Sequence, residues 1–362
     1  MTNTLYLPST PLNILISAAH ASHFCDEQSS EIWLIDQKKI DNNIYVAALE
    51  AWSDSPFKSV KVFSGSASGW AKKHERTLNF KKMVDCLKAF CPDQVAVGSD
   101  RRVEFQFIMH CLKSKNHPVK GIYLDDGLYS YAGRPSVFFK DKVSAWLKKL
   151  FYGTWWEEPE TVGASSKIDQ AWLFSPGQAV AAITRHKDVQ ALEAGFFQTM
   201  EMQALSQEVM KAFKEPLKPY ADFDILWFIP HPNNIEKMSG YEARLKKNIL
   251  EVIASGKKVA VKYHPRVGDN DPLALKKLGV EKIVPAPLAS EFVLPVLGSH
   301  CHIIGDVGTA MLTCKWLRPD LEVTALMSNE DSFQKRFIPL LERMGIQFET
   351  KLSVTKGRGE FI

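Results

Sequence analysis

Short apolar runs of strand length alternate with longer helical stretches along this chain, lapse once, and then resume. No other feature of the sequence restricts the fold as much. In the first half the strand-like runs lie at residues 4–7, 32–35, 60–63, 94–97, 121–124 and 171–174. Helical patterns fall between them, among others at 13–24, 78–90 and 103–114. A βαβα order of this kind implies a parallel sheet covered by helices on both faces. Residues 177–218 then read as polar and helical, and they end in KEPLKPYADFD, whose two prolines interrupt a helix and suit a linker. The rhythm restarts with strands at 225–229, 258–263, 282–284, 302–304 and 322–326, and helices at 241–254 and 331–344. The expected fold class is therefore α/β, with two Rossmann-like lobes, 1–215 and 216–362, facing each other across a central cleft. Ligands of such sheets bind beyond the C-terminal ends of the strands.

A length of 362 residues fits two domains of ordinary size. The formal charge of +4, from 45 basic and 41 acidic residues, is too even for a nucleic-acid binder and compatible with a small anionic ligand. Six cysteines (Cys25, Cys86, Cys91, Cys111, Cys301 and Cys314) form no CxxC pair, so reduced thiols in a cytoplasmic protein are expected rather than a zinc site or a disulfide framework. The opening MTNTLYLPSTPLN lacks the features of a signal peptide, and no apolar run reaches the ~18 to 20 residues that span a bilayer. The run at 138–156, FFKDKVSAWLKKLFYGTWW, mixes lysines with Trp146, Phe151, Tyr152, Trp155 and Trp156. It reads either as an amphipathic helix packed on its lobe or as a peripheral contact with the inner membrane.

The residues that follow each strand carry the candidate chemistry. Ser9, Thr10 and Pro11 read as a helix cap with proline in the first turn, or as hydroxyls lining the cleft. In GSDRR, Asp100, Arg101 and Arg102 are solvated charges or an anion site. In YLDDG, Asp125, Asp126 and Gly127 make a turn favouring positive φ, or a general base. A metal site there lacks the DxD spacing and a nearby His or Glu to complete it. In the second half, His264, Pro265 and Arg266 end an apolar strand with an imidazole on a stiffened backbone, suited to a phosphate. His231-Pro232 repeats the pattern after another strand, and one copy is enough for catalysis. Glu291 could accept hydrogen bonds from a ribose, or simply be solvated. Gly308 and Thr309 open a helix whose N-terminus offers free N–H groups to an anion.

The order of these motifs resembles the bacterial sialyltransferases of the two-lobed GT-B type, the group of capsule polysialyltransferases and lipooligosaccharide sialyltransferases. Their acidic-acidic-Gly, His-Pro and Ser/Thr motifs are matched by Asp125-Asp126-Gly127, His264-Pro265 and the region of Gly308-Thr309, and LPSTPLNILIS looks like their opening strand-loop-helix. The Ser/Thr pair is Gly-Thr here, so a backbone N–H would replace one phosphate donor.

The resemblance implies an inverting, metal-independent transfer of sialic acid from CMP-sialic acid to a hydroxyl of a surface glycan, without a cofactor. Glu291 would hold the ribose, while Gly308, Thr309, His264, Pro265 and Arg266 would serve the donor in the second lobe. Ser9, Thr10, Arg101 and Gly127 would lie on the acceptor side. An aspartate would take the acceptor's proton. By analogy with the family Asp125 is that base and Asp126 ties down the turn, although the residues themselves do not separate them. Transfer of another CMP-nonulosonate, such as CMP-Kdo, shares all this chemistry. A UDP-sugar 2-epimerase shares the two-lobed fold without visible support for its nucleotide, and a non-catalytic sugar-binding protein shares only the architecture.

Overall fold

The apolar runs become parallel strands, because residues such as Leu5, Val95, Tyr123, Ala171, Trp227 and Val261 leave solvent completely when both faces of a sheet are covered. The computed structural model describes residues 1–133, 148–236, 238–267, 271–326 and 338–349. Its contacts divide the chain into two compact units, Met1–Ala212 and Phe213–Ile362.

Among the described residues, unit one holds a seven-stranded sheet in the order β3-β2-β1-β4-β5-β6-β7. The strands are β1 (Thr2–Leu7), β2 (Gln28–Gln37), β3 (Phe57–Ser64), β4 (Gln94–Val97), β5 (Lys120–Leu124), β6 (Gln170–Leu173) and β7 (Asp188–Ala191). Every neighbouring pair is parallel. Helices Pro11–His23, Gly69–Ala89 and Val103–Lys113 stand where the sequence places helices, though the second begins nine residues before the expected start. Leu5, Leu7, Trp33, Val97, Phe105 and Tyr123 belong to one buried cluster. Strand order reverses between β1 and β4, which makes the C-terminal ends of these two strands the switch point of the sheet.

Unit two repeats the plan with the order β10-β9-β8-β11-β12-β13. Its strands are β8 (Ile225–Phe228), β9 (Val259–Lys262), β10 (Lys282–Val284), β11 (His302–Asp306), β12 (Val323–Leu326) and β13 (Gln347–Glu349), again all parallel. Its switch point lies between β8 and β11. Helix Tyr241–Ala254 packs with Ile225, Trp227 and Val261 in a core of its own.

Three features depart from the sequence reading. The stretch 177–218 is not helical throughout, since it contains β7. β13 is a further strand with no apolar run to announce it. The proline-rich linker belongs to unit two: Pro219 lies in the first turn of the short helix Lys218–Ala221, Tyr220 and Phe223 are fully buried, and Glu215 pairs with Lys282 at 2.6 Å. These anchors place the division after Ala212, where a boundary after 215 was expected. Of the helix expected at 331–344, Ile338–Arg343 is present and 331–337 lies outside the described residues.

Candidate functional site

In unit one the switch point is built around Asn13. β1 ends at Leu7, and Thr10 caps the following helix by accepting the Asn13 N–H at 3.2 Å, with proline in the first turn. Thr10 is therefore the cap that its position suggests. Asn13 is 1% exposed; its Nδ2 donates to Asp126 Oδ1 at 2.9 Å, and its Oδ1 accepts from Ser9 Oγ at 3.3 Å. Glycine at position 98, just past β4, makes this approach possible. A Cβ there would stand 2.1 Å from Asn13 Nδ2.

The two aspartates after β5 have opposite environments. Asp125 is fully buried and its carboxylate is filled. Oδ1 accepts from Gly127 N at 3.0 Å and Ser130 Oγ at 2.6 Å; Oδ2 accepts from Phe174 N at 3.1 Å and from the Tyr131 hydroxyl. It thereby ties the end of β5 to the segment after β6. Burial pushes its pKa up, and these four donors oppose the shift. Gly127 has φ 101°, so it serves the turn, as Asp-Gly favours.

Asp126 is only partly buried, and among the described residues its carboxylate accepts one hydrogen bond, from Asn13. Burial pushes its pKa up to about 7; the Asn13 bond and Arg102 pull it down, while Asp125 and Asp100 push it further up. A carboxylate that titrates near neutrality and keeps open lone pairs has the properties of a general base. The hydrogen bonds that hold the turn thus fall on Asp125, where the resemblance had placed that task on Asp126.

Arg101 does not present a free cation. It pairs with Glu158, which also binds Lys148 at 2.8 Å, and Arg102 pairs with Asp36. Asp100 is buried and accepts from Gly163 N at 2.9 Å and Ser165 N at 2.7 Å, fastening the 157–166 loop. GSDRR is thus neither a solvated charge run nor an open anion site. Its charges are spent on tertiary contacts.

In unit two, Phe228 of β8 lies opposite Lys262 of β9 on one side and Gly305 of β11 on the other. The chain continues from these residues to His231, His264 and Gly308-Thr309, so these groups share one sheet edge with His231 on the middle strand. The imidazoles of His231 and His264 meet edge to face, centroids 4.8 Å apart. Each Nδ1 accepts the backbone N–H two residues on, from Asn233 at 3.1 Å and from Arg266 at 3.2 Å. Burial lowers the pKa of His264, and the neighbouring His231, Arg266 and Lys262 lower it further. Pro265 and Arg266 are exposed.

Lys262 is 4% exposed and donates to Ala286 O at 2.8 Å. Glu291 is partly exposed, with its pKa raised by burial and opposed by bonds that include Ser290 Oγ and by the charge of Lys262. Helix Thr309–Leu317 begins without a side-chain cap. A Cβ on Gly308 would meet only Asp306 O at 3.8 Å among the described residues, none of which crowds a side chain there. Asp306 accepts from the Tyr241 hydroxyl at 2.6 Å, and burial pushes its pKa up to about 6. Among the described residues no group of three or more His, Cys, Asp or Glu is placed to hold a metal ion.

The aromatic-basic run divides. Trp156 is buried, Trp155 lies against Phe107 and His110, and Tyr152 meets Arg76. Leu150 and Phe151 stay exposed, with Trp70 beside Phe151. Trp146 and the rest of 138–147 lie outside the described residues, among which no helix is long and apolar enough to cross a membrane.

Sequence reasoning overlooked Asn13, although an amide in the otherwise apolar PLNILISAA was a usable signal. It also set His231 aside as a rival, and it passed over Tyr131, Tyr241 and Asp306, which nothing in the local sequence distinguishes.

No family model matches the chain, and no curated protein sequence matches it. Solved structures match in fold. The UDP-GlcNAc 2-epimerase from Methanocaldococcus jannaschii aligns with a TM-score of 0.53 at 14% identity, over 96% of this chain and 89% of that one. A putative UDP-N-acetylglucosamine 2-epimerase from Listeria monocytogenes aligns at 0.52 and 12%, over 96% and 83%. The fold is of the GT-B class. At these identities the likeness shows the fold alone. The spinosyn rhamnosyltransferase SpnG complexed with thymidine diphosphate, at 0.49 and 9% over 96% and 86%, adds no argument.

Proposed function

We propose that this GT-B protein is an inverting glycosyltransferase that moves a sugar from a nucleotide donor to an acceptor hydroxyl, with Asp126 as the general base. The observation that carries this reading is the state of Asp126: one hydrogen bond among the described residues, partial exposure, and a pKa pushed up to about 7 at a strand end of the first sheet. Asp126 takes the hydroxyl proton while the acceptor oxygen bonds to the anomeric carbon. The bond from that carbon to the donor phosphate breaks, and the phosphate keeps the electron pair. Such base catalysis contributes roughly 10²- to 10⁴-fold. His264 and the N–H groups at Gly308 and Thr309 meet the charge that develops on the leaving phosphate, and preorganised donors of this kind need no metal ion.

The sequence resemblance favours CMP-sialic acid as donor, with Glu291 on the ribose and a bacterial capsule or lipooligosaccharide glycan as acceptor. The exposed Trp70, Leu150 and Phe151, close to Lys73, fit a peripheral contact with the inner membrane, where a lipid-linked acceptor is held.

The fold likeness to UDP-GlcNAc 2-epimerases supplies the competing outcome. Calorimetry with CMP, UDP and GDP, followed by mass spectrometry of products from CMP-sialic acid, CMP-Kdo and UDP-GlcNAc, tests the two together. Binding of CMP and a product heavier by one sugar support transfer. Release of free sugar epimer from UDP-GlcNAc, with no CMP binding, would overturn it.

A further inference from the structure

His-Pro follows β8 at His231-Pro232 and β9 at His264-Pro265, on strands that are hydrogen-bonded neighbours. The rings touch, with centroids 4.8 Å apart and planes at 71°. In both, the backbone two residues on occupies Nδ1: Asn233 N donates at 3.1 Å to one and Arg266 N at 3.2 Å to the other. A ring nitrogen that accepts carries no proton, so each neutral ring is held as the tautomer with hydrogen on Nε2. Among the described residues neither Nε2 has a hydrogen-bond partner, and both rings are partly exposed. Two donors with a fixed tautomer thus sit side by side without a protein acceptor.

What lies around them is suited to an anion. Arg266 is exposed beside His264. On the other side of β8, β11 leads into helix Thr309–Leu317, which has nine residues and no side-chain cap, and Gly305 of β11 lies opposite the same Phe228 that faces Lys262. The helix dipole adds positive potential at that edge.

We propose that His231 and His264 form a single two-pronged donor for the nucleotide phosphate, each giving one Nε2–H, with His231 set on the strand between His264 and the helix N-terminus. This rests on the nucleotide-sugar reading above and extends it: the second His-Pro copy is a ligand-binding group rather than a duplicate. Neutral rings suit the task. Two imidazolium charges this close would repel, whereas two N–H donors can share the oxygens of one phosphate and strengthen their bonds as its charge grows.

The test exploits the double duty of each ring. His231→Asn keeps an acceptor for the Asn233 N–H, because asparagine is a good helix cap, but it has no atom where Nε2 was. His231→Gln sacrifices the cap and carries an amide N–H out towards the Nε2 position. Calorimetry is run on the full chain with CMP against cytidine and with UMP against uridine. Loss of a hydrogen bond to a charged group predicts about 10- to 100-fold weaker nucleotide binding in His231→Asn. Nucleoside binding stays unchanged, and His231→Gln recovers part of the loss. A purely structural His231 gives the opposite order, with asparagine harmless and glutamine damaging, and would overturn the proposal. Histidine-selective ¹⁵N NMR of the unmutated protein gives an independent check, since an Nδ1–H tautomer at either residue also overturns it. Nucleotide binding that is unaffected in His231→Asn removes the pair and leaves the transferase reading standing. No binding of either nucleotide by the unmutated protein removes both.

Discussion

The strand ends of the two units have the same topology and opposite chemistry. Beyond β5 in unit one stand two carboxylates, one saturated by four donors and the other titrating near neutrality. Beyond β8 and β9 in unit two stand two imidazoles whose Nδ1 atoms each accept a backbone N–H, with no partner at Nε2 among the described residues. On the function proposed above, the first edge takes a proton and the second receives negative charge. A Rossmann-like sheet presents its strand ends without specifying what stands on them, so function depends on how a few neighbours fill or spare their valences.

The largest effect that could break this comparison is expected at the proposed base. Asp126→Asn should reduce transfer by at least ~10²-fold while nucleotide affinity stays within about twofold, read by product formation and calorimetry. A fully active Asp126→Asn would return the role to Asp125 and dissolve the contrast.

Next comes Asp125→Ala, which removes an acceptor from the hydroxyls of Ser130 and Tyr131 and from the N–H groups of Gly127 and Phe174. Unsatisfied buried donors should make the fold less stable by about 3 kcal/mol or more in urea titrations. An unchanged midpoint would mean that the network contributes nothing.

A subtler test concerns pH. Asp126 has a folded pKa near 7, well above its ordinary value, so the folded state binds the extra proton between those limits. Its contribution to stability is full below about pH 4 and is lost as pH rises towards about 7, by at most about 4 kcal/mol. Activity has the opposite slope, because the base must be ionised. Asn13→Leu removes the hydrogen bond that favours the ionised form, and should move the rising limb of the pH–rate profile upward by about one unit. A downward shift would contradict the assigned role of Asn13.

The smallest effect belongs to Gly308→Ala. Position 308 has room for a methyl group but is the helix N-cap, where alanine is less favoured than glycine. Thermal melts should therefore show a loss of about 1 kcal/mol or less, and a loss of nucleotide affinity with the fold intact then reports the approach of a ligand.

Legibility followed burial. The ILWF of β8 and the VAV within β4 announced themselves, since a stretch of strand covered on both faces is apolar residue after residue. The DVQA of β7 and the QFE of β13 did not, because neither carries an apolar run. Helix Tyr241–Ala254 was legible to its ends, with a buried stripe at Tyr241, Leu245, Ile249 and Val252. The candidate site was legible as a set of positions after strands. The partners of those positions were not, since Asn13 is 113 residues from Asp126 and Glu158 is 57 from Arg101.

The sequence by itself determined two sequential parallel α/β units and marked Asp125, Asp126, His231, His264 and Thr309 as strand-end groups. Periodicity and composition are local properties, and they suffice for that much. Only the tertiary structure decided that Asp125 is held, that Asp126 is spared, that Arg101 is spent on Glu158, and that the two His-Pro copies are a pair. Each of those outcomes depends on which distant donor or acceptor reaches a given oxygen or nitrogen. That is fixed by packing and strand register, which no short stretch of chain contains.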